Sequence, residues 1–234
     1  MATGLDYDRA KKLMFKAEAG DLTLTALYAS RDKGIPTASF GQVFNDSRSH
    51  TVDLQTALKL DYQTALDSRT TASFSAYLGR HDYEGTYVYD APLGENTDGS
   101  RARWWGGEAK LVSTAIARHK LVTGLEYQLD YQIRQYNYYP DPLQVTLDDR
   151  RHRYRVGVYL QDEITLRDDL LLTGGLRYDA LSTVQANVSP RLALIYKATE
   201  ATTVKAISRN AVSPRVGSLA WKHYYAGPAR NWER

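Results

Sequence analysis

Residues 119–134 constrain the fold of this chain more than any other stretch. They read His-Lys-Leu-Val-Thr-Gly-Leu-Glu-Tyr-Gln-Leu-Asp-Tyr-Gln-Ile-Arg. Leu121, Leu125, Tyr127, Leu129, Tyr131 and Ile133 share one parity, joined by Thr123. Glu126, Gln128, Asp130, Gln132 and Arg134 share the other. Successive side chains of a strand point to opposite faces, so this segment predicts a strand with one apolar and one ionic face. It also far exceeds the usual strand of about 5–6 residues. A long strand of that kind suits a sheet standing between lipid and water, the wall of a transmembrane β-barrel.

The alternation recurs. Leu13, Phe15 and Ala17 oppose Lys12, Lys16 and Glu18; Leu22, Leu24, Ala26 and Tyr28 share a face. Leu54, Leu58, Leu60 and Tyr62 oppose Asp53, Gln55, Lys59, Asp61 and Gln63. Phe74, Ala76 and Leu78 oppose Ser73, Ser75 and Tyr77. Later sets are Tyr154, Val156, Val158 and Leu160; Leu170, Leu172, Leu176 and Tyr178; and Leu192, Leu194 and Tyr196. Short turns are expected near Gly20-Asp21, Asp67-Ser68, Ala117-Arg118, Arg167-Asp168 and Thr199-Glu200, where turn-forming residues interrupt the pattern. Longer polar connections are expected near 31–49, 90–100 and 139–150, and a shorter one near 182–188. Short turns at one end and long loops at the other are the pattern of a bacterial outer-membrane barrel. Helix competes only over 112–118, a short window without a convincing cap. The expectation is an all-β fold: an antiparallel transmembrane β-barrel segment of about ten long strands in up-and-down hairpins, part of a larger barrel.

Composition agrees with a barrel. Mean hydropathy is -0.49, and no run approaches the roughly 18 apolar residues of a transmembrane helix. A barrel needs no such run, because only alternate residues touch lipid. The 18 Tyr and 4 Trp outnumber 4 Phe, a bias that suits interfacial aromatic girdles. Cysteine is absent, which excludes disulfides and thiolate metal sites. The net charge is +3, with no basic block for nucleic acid. The start, Met-Ala-Thr-Gly-Leu-Asp-Tyr-Asp, lacks the apolar core of a secretory signal. A barrel must be exported, so the expectation is a fragment of a longer protein.

Enzymatic chemistry finds little support. His50, His81, His119, His152 and His223 show no compact ligand spacing, and no cofactor is expected. No nucleophile elbow, P-loop or dinucleotide fingerprint is present. Ser73, Ser75 and His81 lack an orienting carboxylate at a defined spacing. Asp148-Asp149-Arg150-Arg151 suits a solvated junction with local ion pairs worth about 0–1 kcal/mol each. The best ligand-contact candidates are aromatic. Tyr83, Tyr87 and Tyr89 precede one expected loop, and Arg134, Tyr136, Tyr138 and Tyr139 precede the next. Tyrosine stacking plus one cation could hold an aromatic, anionic iron chelate; girdle packing is the competing role.

Three motifs carry a family resemblance. Gly157-Val158-Tyr159-Leu160-Gln161-Asp162-Glu163 resembles the "G-x-Y-x-Q-D-E" strand of TonB-dependent outer-membrane receptors. Gly175-Leu176-Arg177-Tyr178-Asp179 resembles that family's "G-L-R-Y-D", and Asn187-Val188-Ser189-Pro190-Arg191-Leu192-Ala193-Leu194 its "N-x-S-P-R-x-x-L". Arg31 to Thr37 and Trp105-Gly106-Gly107-Glu108 resemble further elements, so the likeness runs from about Asp6 to Asn210. The resemblance implies a 22-stranded barrel plugged by an N-terminal domain. It implies Gram-negative outer-membrane location, contact with outer-membrane lipid, and a cargo such as a ferric siderophore, haem or cobalamin. It also implies a TonB complex engaging an N-terminal plug region that is not seen in this chain. Residues 1–212 are expected to form the partial barrel, and 213–234 a divergent or truncated tail, since Asn210 to Arg215 departs from the family's usual strand. A complete ten-stranded barrel acting as a pore or adhesin is the alternative, and a soluble β-sandwich binding module comes third.

Overall fold

The computed structural model describes residues 2–209. They form ten strands and no helix: β1 Asp8–Ala19, β2 Leu22–Gly34, β3 His50–Ala65, β4 Thr70–Val88, β5 Glu95–Ser113, β6 His119–Pro140, β7 Leu143–Arg167, β8 Leu170–Leu181, β9 Val184–Lys197 and β10 Thr203–Arg209. Every strand pairs antiparallel with its chain neighbour, giving one sheet in the order β1 to β10. Among the described residues β1 and β10 do not meet, so the sheet is open. The fold is thus an all-β, up-and-down part of a barrel wall. The five expected short turns all lie between strands. At the first, Gly20 takes φ +58, a left-handed conformation that costs glycine little.

The two faces differ as the alternation requires. In register across the strands, Leu13, Tyr28, Thr56 and Arg80 share the outward face with Phe15, Ala26, Leu58, Leu78 and Trp105. Leu13, Phe15, Leu60, Phe74, Leu78, Leu125, Leu160 and Leu176 are all exposed. A soluble sheet would bury such residues against a second layer, and the described residues provide none. Among the described residues the buried hydrophobics are Leu5, Ala72, Tyr87, Val88, Tyr136 and Ala193, too few for a sandwich core.

The inward face is a continuous polar lattice. Arg177 holds Glu126 at 2.6 Å and Asp179 at 2.9 Å. Arg155 donates to Gln128 at 2.7 Å, Gln128 donates to Asp130 at 2.6 Å, and Arg153 pairs with Asp130. Glu108 lies opposite Glu126, a like-charge pair relieved because Tyr159 donates to the first and Arg177 holds the second. Gly157 makes this possible: a Cβ there would stand 2.4 Å from the Arg177 guanidinium. These groups suit a hydrated lumen.

Two expectations are corrected. First, strict parity along 119–134 fails. Arg103 pairs with Gln132 but Trp104 with Asp130, and Asp130 pairs with Arg153 but Ile133 with Arg151. One extra residue, a bulge at Tyr131–Gln132, reverses the facing beyond it. Ile133 therefore turns inward with Ala102, and Gln132 and Arg134 turn outward with Arg103 and Arg101. Second, the long connections at 90–100 and 139–150 are mostly strand. Only 89–94 separates β4 from β5, and Asp141-Pro142 alone separates β6 from β7. Beyond the apolar band polar side chains occur on both faces of these strands, so hydrophobic alternation stops while backbone pairing continues. The connection at 35–49 is long, as expected; that at 182–183 is tight. The 112–118 window is strand as far as Ser113 and then turn. The expected tail, 213–234, lies outside the described residues.

Candidate functional site

The long strands β4 to β7 carry their polar extensions past the apolar band to one end of the sheet. Tyr83 and Tyr87 sit two pleats apart on the inward face of β4, and their hydroxyls lie 2.8 Å apart. Asp98 pairs with Gly85 between them, and Tyr83 hydrogen-bonds its carboxylate. Asn137 on β6 pairs with Asp98 and exchanges amide hydrogen bonds with Asn96 at 2.9 and 3.0 Å. Tyr89 and Tyr139 adjoin the same group. The 35–49 connection folds over it: Phe40 packs edge-on against Tyr87 with centroids 5.7 Å apart, and the Tyr89 hydroxyl reaches the Phe40 carbonyl at 3.5 Å. Tyr87 is left only 8% exposed, so its ring is fixed before any ligand arrives.

Burial sets the electrostatics of this end. Asp98 is pushed up to about 6, because loss of hydration outweighs its hydrogen bond from Tyr83. Its Oδ1 is buried and finds no donor among the described residues. Tyr89 is raised by burial first, then by Tyr139 and Asp98. The result is an aromatic cluster carrying phenol donors, two amides and a carboxyl group raised to about 6. No group of three or more His, Asp or Glu able to hold a metal occurs among the described residues.

The seven residues singled out from sequence divide between the two faces. Tyr83, Tyr87, Tyr89 and Tyr139 come together inside. Arg134, Tyr136 and Tyr138 lie outside, because the bulge precedes them. Tyr136 donates to Glu84 at 2.8 Å and stacks on Tyr138 at 6.2 Å; burial and Glu84 push its phenol up to about 12. Arg134 pairs with Asp148 at 2.6 Å, and Arg134 and Arg150 together hold Asp148 down to about 2. Sequence reasoning missed Asp98, Asn96 and Asn137. Asp98 shares parity with Asn96 and Ser100, a strand signal hidden by the turn-like composition of 90–100.

Known proteins match this architecture. Residues 3–232 match the family described as TonB dependent receptor-like, beta-barrel. The ferric citrate transporter FecA in its unliganded form superposes with a TM-score of 0.68 at 16% identity, over 88% of this chain and 36% of that one. The ferric-catecholate import receptor Fiu from E. coli K12 gives 0.60 at 12% identity, over 89% and 53%. The FrpB iron transporter from Neisseria meningitidis (F3-3 variant) gives 0.61 at 15% identity, over 86% and 37%. The chain thus spans about a third to a half of each receptor, and at these identities the likeness shows the fold alone. No curated protein sequence matches. With nearly its whole length matched and its strands forming the expected open wall, this chain belongs to the TonB-dependent receptor β-barrel family.

Proposed function

We propose that this chain forms part of the wall of an outer-membrane receptor that takes up a ferric chelate. The carrying observation is the inward cluster of Tyr83, Tyr87, Tyr89 and Tyr139 around Asp98, at the end of the sheet beyond the apolar band. Family members are outer-membrane transport receptors of Gram-negative bacteria, and the three structural relatives described above are named for iron. A lumenal mouth lined by phenols favours a chelate with aromatic or carboxylate groups. Tyr rings stack on the former, and their hydroxyls donate to the latter. Haem and cobalamin offer the same kind of contact and are the competing cargoes. Transport draws on a TonB complex acting through a plug that closes the lumen against the inward lattice. Substrate passage, not bond-making, is the activity.

The test uses the full-length receptor that carries this wall. Tyr87→Ala with Tyr139→Ala should weaken binding of the preferred ferric chelate by roughly 1–3 kcal/mol, at about 0.5–1.5 kcal/mol per lost stacking contact. Tyr138→Ala, on the outer face, should leave affinity unchanged. Equilibrium titration against ferric citrate, a ferric catecholate, haem and cobalamin reads both. Equal weakening by all three substitutions would remove the inward cluster from cargo binding.

A further inference from the structure

β7 outgrows its neighbour on one side. β8 is 12 residues long and β7 is 25. At about 3.3 Å per residue and a tilt near 45°, β8 rises roughly 28 Å, enough to cross a barrel's apolar band and little more. It then turns back into β9 at 182–183. Arg155 pairs with Leu181. Just beyond, the Ser182 N–H donates to the Tyr154 carbonyl at 3.0 Å and the Tyr154 N–H to the Ser182 hydroxyl at 3.1 Å. From Leu143 to Arg153, β7 is paired with β6 alone. On its other side this stretch makes no backbone hydrogen bond among the described residues.

This edge differs from those of β1 and β10. The ends of the sheet are open to further strands, but none can enter between β7 and β8, which are already paired. Completing the wall therefore leaves this edge unpaired. It is also firm. β6 backs it from Leu143 to Arg153, and the Thr146 hydroxyl donates to the Asn137 carbonyl at 2.9 Å. Proteins blunt exposed edges with proline, lysine or bulges. Residues 143–153 contain no proline, glycine or lysine, and on β7 the extra residue of the ladder is Thr146, near the tip. Leu147 to Arg153 thus presents a regular row of N–H and C=O groups to water.

The side chains beside the edge choose among occupants. Arg151, Arg153 and Arg155 share the inward parity of β7, and Arg150 the outward. From Asp148 to Arg155, four arginines stand against two aspartates. Arg150 and Arg151 remain 69% and 63% exposed although Asp148 and Asp149 pair with them, and Arg155 donates to the neutral Gln128 at 2.7 Å. A second copy in the same membrane would stand at the same height and run in the same sense, setting these arginines against their own kind. Like charges directly opposite one another destabilise a sheet. A strand rich in carboxylates reverses the sign of that interaction.

We propose that the free edge of β7, from Leu147 to Arg153, takes an extended acidic segment of another protein outside the cell as an added strand. Main-chain hydrogen bonds supply the attachment, and carboxylates on one face of the segment meet Arg151, Arg153 and Arg155. The proposal rests on the outer-membrane reading and is independent of which cargo is carried.

The test takes the full-length receptor in non-ionic detergent and titrates a synthetic eight-residue peptide that alternates Glu with Thr or Val, so that every carboxylate lies on one face. It should bind roughly tenfold or more tightly than the same peptide with Lys in place of Glu. Two further peptides carry N-methyl groups, one on every Glu and the other on every Thr and Val. Only alternate N–H groups of an added strand face the edge, so one of the two should lose roughly tenfold or more in affinity and the other should keep it. Arg151→Gln with Arg155→Gln should remove the preference for Glu over Lys while the receptor stays heat-modifiable. Lys12→Gln, on β1, should leave that preference intact. Equal binding of the Glu and Lys peptides, any result for the methylated pair other than one kept and one lost, or an unaffected double Gln variant would each overturn the proposal. A receptor that does not fractionate with the outer membrane overturns the underlying reading, and does so before any peptide is added.

Discussion

Leu125 and Asp98 occupy the same sheet but face different surroundings, and each makes a prediction at the scale of one side chain. Leu125 is exposed on the outward face of β6, six residues from its short-turn end. Leu125→Arg puts a charge against mid-bilayer lipid and should cost roughly 2–4 kcal/mol, seen as lost heat-modifiable folded receptor. Gln55→Arg, an inward position on β3, should cost little. Gln128→Arg is a poor neutral control, because Gln128 accepts from Tyr77 at 3.1 Å and from Arg155 at 2.7 Å. Asp98 gives a pH prediction. Its carboxyl rises from an ordinary 3.8 to about 6 in the folded protein. Between those values the folded state binds more protons than the unfolded one, so this group's contribution falls as pH rises through about 6. Asp98→Asn cannot ionise. The melting temperature of the variant relative to the wild-type receptor should therefore climb between pH 4 and pH 7. A gap that stays constant across that range would show that Asp98 is hydrated when folded.

At the scale of the element, β6 shows both how far sequence carries and where it stops. Within the apolar band one face of β6 is apolar and the other ionic, so Leu121 to Leu129 alternate and the facing is legible. Beyond Asp130 both faces are wet, and nothing in composition marks the extra residue that the ladder absorbs. The same loss of contrast hid the strand extensions at 95–100 and 143–150, and with them Asp98. It also placed Arg134, Tyr136 and Tyr138 beside Tyr83 and Tyr87 in sequence logic, when the bulge puts them behind the sheet. The inward group was half legible: its tyrosines stood out, while its carboxyl and amides depended on pairing across strands. A deletion series tests the bulge itself. Removing Tyr131 deletes the extra residue and keeps the facing on both sides, so the receptor should still assemble. Removing Gln128 shifts the pairing below the bulge and drives ionic side chains toward lipid, so assembly should fail. Equal tolerance of both deletions would mean that the ladder is not held in this register.

At the scale of the whole molecule, the open sheet decides what these residues can do alone. Among the described residues β1 and β10 have one partner each. The outer edge of β1 is twelve residues long and carries Leu13 and Phe15, both more than half exposed. Such an edge has unpaired N–H and C=O groups, which in lipid must be satisfied and in water template further strands. Closure by β1 on β10 would make a small barrel, but among the described residues the two strands do not meet. The receptors that superpose on this wall are about two to three times longer than the part matched, and both edges of this sheet await further strands. The isolated chain, refolded into detergent, should therefore run as oligomers or aggregates and not as a heat-stable, SDS-resistant monomer. Co-refolding with a chain supplying the remaining strands should recover such a species. If the isolated chain instead gives a compact monomer that conducts ions across a planar bilayer, the edges close on themselves and the small-pore alternative takes the place of the receptor wall.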